Sequence, residues 1–227
     1  AQFYEELKSS PAESMDVAVH ELVKRAIVKH KKVIFNGNGY TDAWVEEAKE
    51  RGLYNLKSTP EALPYFVSDA NIALFGHHGV LTESEVRSRY EITLENYCKV
   101  LNIEAETMLE MARKDILPAV TAYTRELTET ALAKRALDAA ISCEMETTLI
   151  AKLSALSTGL YQKIGALEDA LLQSKQITEI AACAIFYHDS VFAAMQELRA
   201  IADELESLTA KTCWPFPTYG DLLFSVC

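Results

Sequence analysis

Glycine is scarce in this chain, with eight in 227 residues, about half of the roughly 7 % that globular proteins carry. Six prolines add few further breaks. So few turn formers argue against a many-stranded sandwich or barrel and favour helices. Basic residues are also short: 22 Lys and Arg stand against 33 Asp and Glu, a formal charge of −11. An acidic surface repels a phosphate backbone, so no nucleic-acid partner is expected. No stretch approaches the ~18 consecutive apolar residues of a membrane span, so no membrane partner is expected either. The first fifteen residues, AQFYEELKSSPAESM, carry acids and no apolar centre, unlike a secretory leader. The chain does not start with Met, which suggests a processed chain or a piece of a longer protein.

Paired cysteine motifs are missing as well. Cys98, Cys143, Cys183, Cys213 and Cys227 are odd in number and widely spaced, with no CxxC. That pattern is neither a disulfide framework nor a zinc ribbon. It reads as reduced, mostly buried thiols in a cytoplasmic protein.

What is present is helical periodicity with uneven punctuation. Gly37, Gly39, Gly52, Gly76 and Gly79 lie in the first 79 residues, while residues 80–211 hold only Gly159, Gly165 and Pro118. Asp16 is expected to cap a helix reaching about His30, on which Val19, Leu22, Val23, Ala26 and Ile27 recur at helical spacing. Val33, Ile34 and Phe35 form a short β-prone run closed by Asn-Gly-Asn-Gly, and predict one short strand. Thr41 is expected to cap a second helix that stops at Gly52, and Thr59-Pro60 to open a third. Thr82 and Glu85 have the spacing of a capping box. From there the pattern is helical to about Leu208, with a phase change near Asn102 and a kink or restart at Pro118. Leu149, Leu153, Leu156, Leu160, Ile164, Leu167 and Leu171 form one seam, and Val191, Met195, Leu198, Ala202, Leu205 and Leu208 a second. Such seams pack at shallow angles in antiparallel bundles. The expected fold is therefore mainly α: a small α/β piece over 1–80, an antiparallel helical bundle over 81–211 and a docking tail over 212–227. Trp214, Phe216, Tyr219 and Phe224 of the tail are expected to pack on the bundle or on a neighbouring subunit.

No candidate for chemistry survives inspection. Gly37-Asn38-Gly39 resembles the start of a dinucleotide loop, but Asp42 stands where a third glycine is needed, and its charge opposes a pyrophosphate. A turn demanding positive φ is the simpler reason for both glycines. None of His20, His30, His77, His78 and His188 has a glutamate three residues before it, so the di-iron motif is absent. His77-His78 reads as a loop tip. Glu144/Glu146 and Glu104/Glu106 sit two apart, do not face each other on a helix, and read as solvated surface. No GxSxG or GxxxxGK[ST] occurs. The assignment is no catalytic, no cofactor-binding and no metal residue in this chain.

Three stretches resemble one family: VIFNGNGYTDAWVEEAKERGLYNLKSTPEALP (33–64), RSRYEITLENYCKVLNIEAETMLEMARKDILPAV (87–120) and WPFPTYGDLLF (214–224). In order and spacing they resemble the C-terminal part of type III glutamine synthetase, the large bacterial form. The resemblance implies a parent enzyme that ligates ammonia to glutamate with ATP, through γ-glutamyl phosphate and with Mg²⁺ or Mn²⁺ at the phosphates. It implies a homo-oligomer, a dodecamer of two hexameric rings. The family's metal-binding glutamates and nucleotide loops precede the matched region, so no catalytic residue transfers to any position here. The expected function is a non-catalytic C-terminal region with a structural or assembly role, its partners being the rest of the parent chain and neighbouring subunits. The alternative is a free-standing intracellular helical interaction module.

Overall fold

The computed structural model describes residues 2–224 and divides into two compact units, residues 1–57 and 58–227. The sequence placed this division at 80. The helices between 58 and 80 pack instead with the long helices that follow.

The first unit contains α1 (Gln2–Lys8), α2 (Met15–Lys29) and α3 (Asp42–Glu50). Ser14, rather than Asp16, caps α2: its hydroxyl accepts from the Val17 amide at 3.3 Å, and Asp16 lies in the first turn, where the helix dipole favours it. α1 packs on α2, with Glu6 3.5 Å from Arg25.

The expected strand at Val33–Phe35 does not form, and no strand occurs among the described residues. Lys31–Val33 instead make a 3₁₀ turn, with Val33 and Ile34 amides donating to the His30 and Lys31 carbonyls. An isolated extended run leaves its ladder groups unpaired. Here Arg51 fills the place of a neighbouring strand, its guanidinium donating to the Ile34 carbonyl at 2.7 Å. The α/β piece is thus an all-helical one.

Gly52, just past α3, has φ +71°, the left-handed conformation expected of a helix stop. Gly37 and Gly39 do not need positive φ, contrary to expectation. At Gly37 the constraint is space: a Cβ would sit 2.5 Å from the Phe35 ring. That ring stacks on Trp44 with centroids 3.8 Å apart.

The second unit begins with α4 (Thr59–Phe66) and α5 (Asp69–His77). Ser58, not Thr59, closes the α4 capping box with Glu61, which places Pro60 inside the first turn. Thr82 and Glu85 form the expected box at the start of α6 (Glu83–Met111): the Thr82 hydroxyl accepts from the Glu85 amide, and the Thr82 amide donates to the Glu85 carboxylate. α6 runs through Asn102 without a break. It passes into a π-helical turn (Ala112–Ile116) and then α7 (Leu117–Leu137). Pro118 lies in the first turn of α7, directly after the wide turn that accommodates its missing amide. Residues 83–137 thus form one long irregular helix of roughly 80 Å.

α8 (Glu144–Ser174) returns along it, and α9 (Ile180–Phe186), a second π turn (Tyr187–Phe192) and α10 (Ala193–Leu208) run back again. Ion pairs show the directions. Lys134 meets Glu146 and Arg113 meets Glu168, so α8 is antiparallel to the first long helix. Lys152 meets Glu204 and Lys163 meets Glu197, so α10 is antiparallel to α8. The two leucine seams form the core as expected: Leu153, Leu160, Leu167, Val191 and Leu205 are fully buried.

Candidate functional site

Along α6 and α10, two stretches of helix face a common apolar cavity of about 520 Å³. One wall is residues 103–116 and the other 192–206, all within the second unit. Each wall has a π turn at its edge, Ala112–Ile116 on one side and Tyr187–Phe192 on the other. Such wide turns displace side chains from the regular helical stripe, and they recur at functional sites. Met108, Met111 and Met195 line the cavity, three of the five methionines in the chain.

The tail closes one end. Trp214 and Phe216 meet edge to face, centroids 6.0 Å apart, and pack against the core. The Trp214 indole nitrogen is buried with no acceptor among the described residues. Half of the tail expectation is met by this contact. Tyr219 and Phe224 stay exposed (84 % and 79 %) on or beside α11 (Tyr219–Leu223), which is tied back by the Lys211–Asp221 ion pair. That pair and the Thr218 cap hold the Asp221 carboxyl below the usual carboxylate range.

The cavity's edge is acidic. Glu104, Asp203 and Glu206 line it, against a single cation, Arg199, whose Nε donates to Asp203 at 3.3 Å. Sequence reasoning placed Glu104 on a solvated face and missed the cavity. The available signals were Met108 and Met111 at i, i+3 and an apolar WPF tail, but their meeting depends on which helices pack together.

A smaller cavity of about 290 Å³ adjoins it along α6, between residues 98–103, the end of α8 and residues 183–187. Tyr187 there donates to Asn102 Oδ1 at 3.1 Å, and its oxygen is 3.1 Å from Ser174 Oγ. The phase change read at Asn102 is therefore no helix break but an amide turned to this buried hydroxyl. Cys98 and Cys183 line the same cavity. Burial first, and then the neighbouring Cys183, push the Cys98 thiol up to about 12. Burial also raises Tyr187.

The residues weighed for chemistry sit apart. The Gly37-Asn38-Gly39 loop is closed on itself: the Asn38 side chain accepts from the Tyr40 amide at 3.0 Å, and Thr41 donates to the Asn38 carbonyl. Thr41 bounds α3 without a side-chain cap bond. His20, His30, His77 and His78 are exposed. His188 pairs with Asp189 at 2.7 Å. Glu144 is solvated, but Glu146 is not: it is 1 % exposed and paired with Lys134, which holds its carboxyl below the usual range. The sequence reading took both as solvated surface. α7, packed on α8, covers the second. No group of three or more His, Cys, Asp or Glu that could hold a metal ion occurs among the described residues. No helix there is long and apolar enough to cross a membrane.

Comparison with known proteins gives a consistent result. Residues 18–135 match a family model described as the glutamine synthetase C-terminal domain. A glutamine synthetase of Butyrivibrio fibrisolvens is 40 % identical over 220 residues, 97 % of this chain and 31 % of that protein. A type-3 glutamine synthetase of Dictyostelium discoideum is 33 % identical over 222 residues, 96 % of this chain and 30 % of the relative. A glutamine synthetase of Bacteroides fragilis is 25 % identical over 214 residues, 92 % of this chain and 29 % of its own length.

Proposed function

Because the chain belongs to the glutamine synthetase C-terminal domain family, we propose that it is the non-catalytic C-terminal region of such an enzyme, with a role in holding the assembly together. The observation that carries this reading is coverage: nearly the whole chain aligns, yet it spans only about 31 % of the Butyrivibrio relative. On this reading the parent enzyme, in the cytoplasm, ligates ammonia to glutamate with ATP and Mg²⁺ or Mn²⁺. The residues described here offer no cluster fitted to those metals, and no reaction step is assigned to them.

The first unit supports an assembly role. On α2, Val17, Val23, Ile27 and Val28 are each about half exposed or more (48 %, 49 %, 52 % and 70 %). A stripe of that size on one helix requires cover. The rest of the parent chain and neighbouring subunits of a homo-oligomer, a dodecamer in the family's manner, would supply it. The second unit contributes a long, densely packed bundle of the kind that holds distant surfaces at fixed separation.

Two experiments test the reading. The 227-residue chain alone, given glutamate, ammonia, ATP and Mg²⁺, is expected to release no phosphate above background. Turnover by this polypeptide would overturn the proposal. In the longer parent protein, Val23→Asp with Ile27→Asp on α2 is expected to lower the oligomeric mass in sedimentation. An unchanged assembly would remove the assembly role.

A further inference from the structure

We propose that the cavity between residues 103–116 and 192–206 is a docking groove for a basic amphipathic helix of a separate protein. Three features of its lining support this. Its lining is soft and adaptable: Met108, Met111 and Met195 give flexible, polarizable contacts that fit varied apolar side chains. Its volume, about 520 Å³, suits the bulky apolar side chains at i, i+3 or i+4 of a helix laid into a groove. Its edge carries Glu104 on one wall and Asp203 and Glu206 on the other, so the field over the opening is negative on both sides. The one guanidinium, Arg199, is already paired with Asp203.

An apolar floor between acidic edges selects a segment whose bulky apolar residues are flanked by Lys or Arg, and disfavours an acidic one. Trp214 at the closed end reports on occupancy. Its indole nitrogen is buried without an acceptor, an arrangement that a small shift of the ring on filling the groove would relieve. The proposal concerns a partner of the region and does not depend on its having an assembly role.

The test uses the 227-residue chain carrying Trp44→Phe, which leaves Trp214 as the sole tryptophan. The probes are the Leu/Lys peptide (LKKLLKL)₂ and its acidic counterpart (LEELLEL)₂. The basic peptide is expected to shift Trp214 emission saturably, and the acidic peptide to leave it unchanged. Glu104→Lys with Glu206→Lys is expected to weaken binding at least about tenfold. Glu91→Lys with Glu144→Lys, which makes the same charge change outside the groove, is expected to weaken it less than about threefold. Equal weakening by both pairs would reduce the effect to net charge and overturn the proposal. So would equal binding of the acidic peptide, or binding without a change in Trp214 emission. If Trp214 emission moves with protein concentration alone and the peptide reverses it, a second copy is the occupant and the assignment to a separate protein fails.

Discussion

Leu160 sits midway along α8 with no exposed surface, in the seam that faces α10. Replacing it with alanine removes three buried carbons, a transfer loss of about 2.4 kcal/mol at ~0.8 kcal/mol per methylene. A cavity term adds to that wherever the walls cannot close in. The walls here are held: Lys152–Glu204 and Lys163–Glu197 clamp α8 to α10 on either side of the position. The backbone of a regular helix also cannot pucker toward a missing side chain. The expected loss is therefore about 3–4 kcal/mol, within the range for buried Leu→Ala changes. For a unit of this size that corresponds to a fall in melting temperature of roughly 10 °C. Urea unfolding followed by circular dichroism measures it, with the midpoint moving and the slope unchanged. Leu172→Ala is the control, because Leu172 on the same helix is 60 % exposed; its effect is expected within about 0.5 kcal/mol. A loss below about 1 kcal/mol at Leu160, or equal losses at both positions, would refute the seam as the source of the bundle's stability.

Other expectations concern backbone, charge and thiol chemistry. Gly165→Ala in α8 meets nothing within 4 Å of the new Cβ and is expected to gain about 0.5–1 kcal/mol in thermal unfolding. Gly52→Ala, at φ +71°, is expected to lose about 1 kcal/mol; the same sign at both sites would show that backbone conformation is not the discriminator. Lys134 lowers the folded-state pKa of Glu146 beneath its ordinary 4.5, so that carboxylate's contribution is complete above that value and is lost as pH falls through the lowered one. The stability gap between the protein and its Glu146→Gln variant is accordingly expected to shrink on acidification, and a gap that grew instead would reverse the assignment. Burial pushes the Cys98 thiol up to about 12, so it carries almost no thiolate at pH ~8. Iodoacetamide is expected to modify the half-buried Cys213 well before it, as read by peptide mass mapping, and equal rates would contradict the burial of Cys98.

Helices were legible where their determinants are local. The Thr82–Glu85 box closes within four residues. Pro118 has no amide to donate inside a continuous helix, so a break or restart beside it was expected, and leucines stepping by three and four define a buried stripe whatever covers it. The kinship to glutamine synthetase was legible for a related reason, since it rests on the linear order of residues and not on their packing. The strand at Val33–Phe35 failed because β structure needs a partner, and only the fold shows that the guanidinium of Arg51, just past α3, occupies that place. Ser58 displaced Thr59 as a cap because the N-terminal boundary depends on which hydroxyl reaches an amide three residues on, a choice a single position can shift.

A helical, acidic, turn-poor chain and its kinship to the glutamine synthetase C-terminal domain could be read without the fold. Those properties follow from periodicity, composition and linear order. The packing of α7 on α8 is what buries Glu146 against Lys134 while Glu144 remains in water. The fold likewise brings three methionines, a tail tryptophan and carboxylates from two helices around one groove. Their separation along the chain reaches about a hundred residues, and no local rule specifies a contact of that length. It arises from the packing of one long helix beside another, with π turns re-aiming the side chains between them.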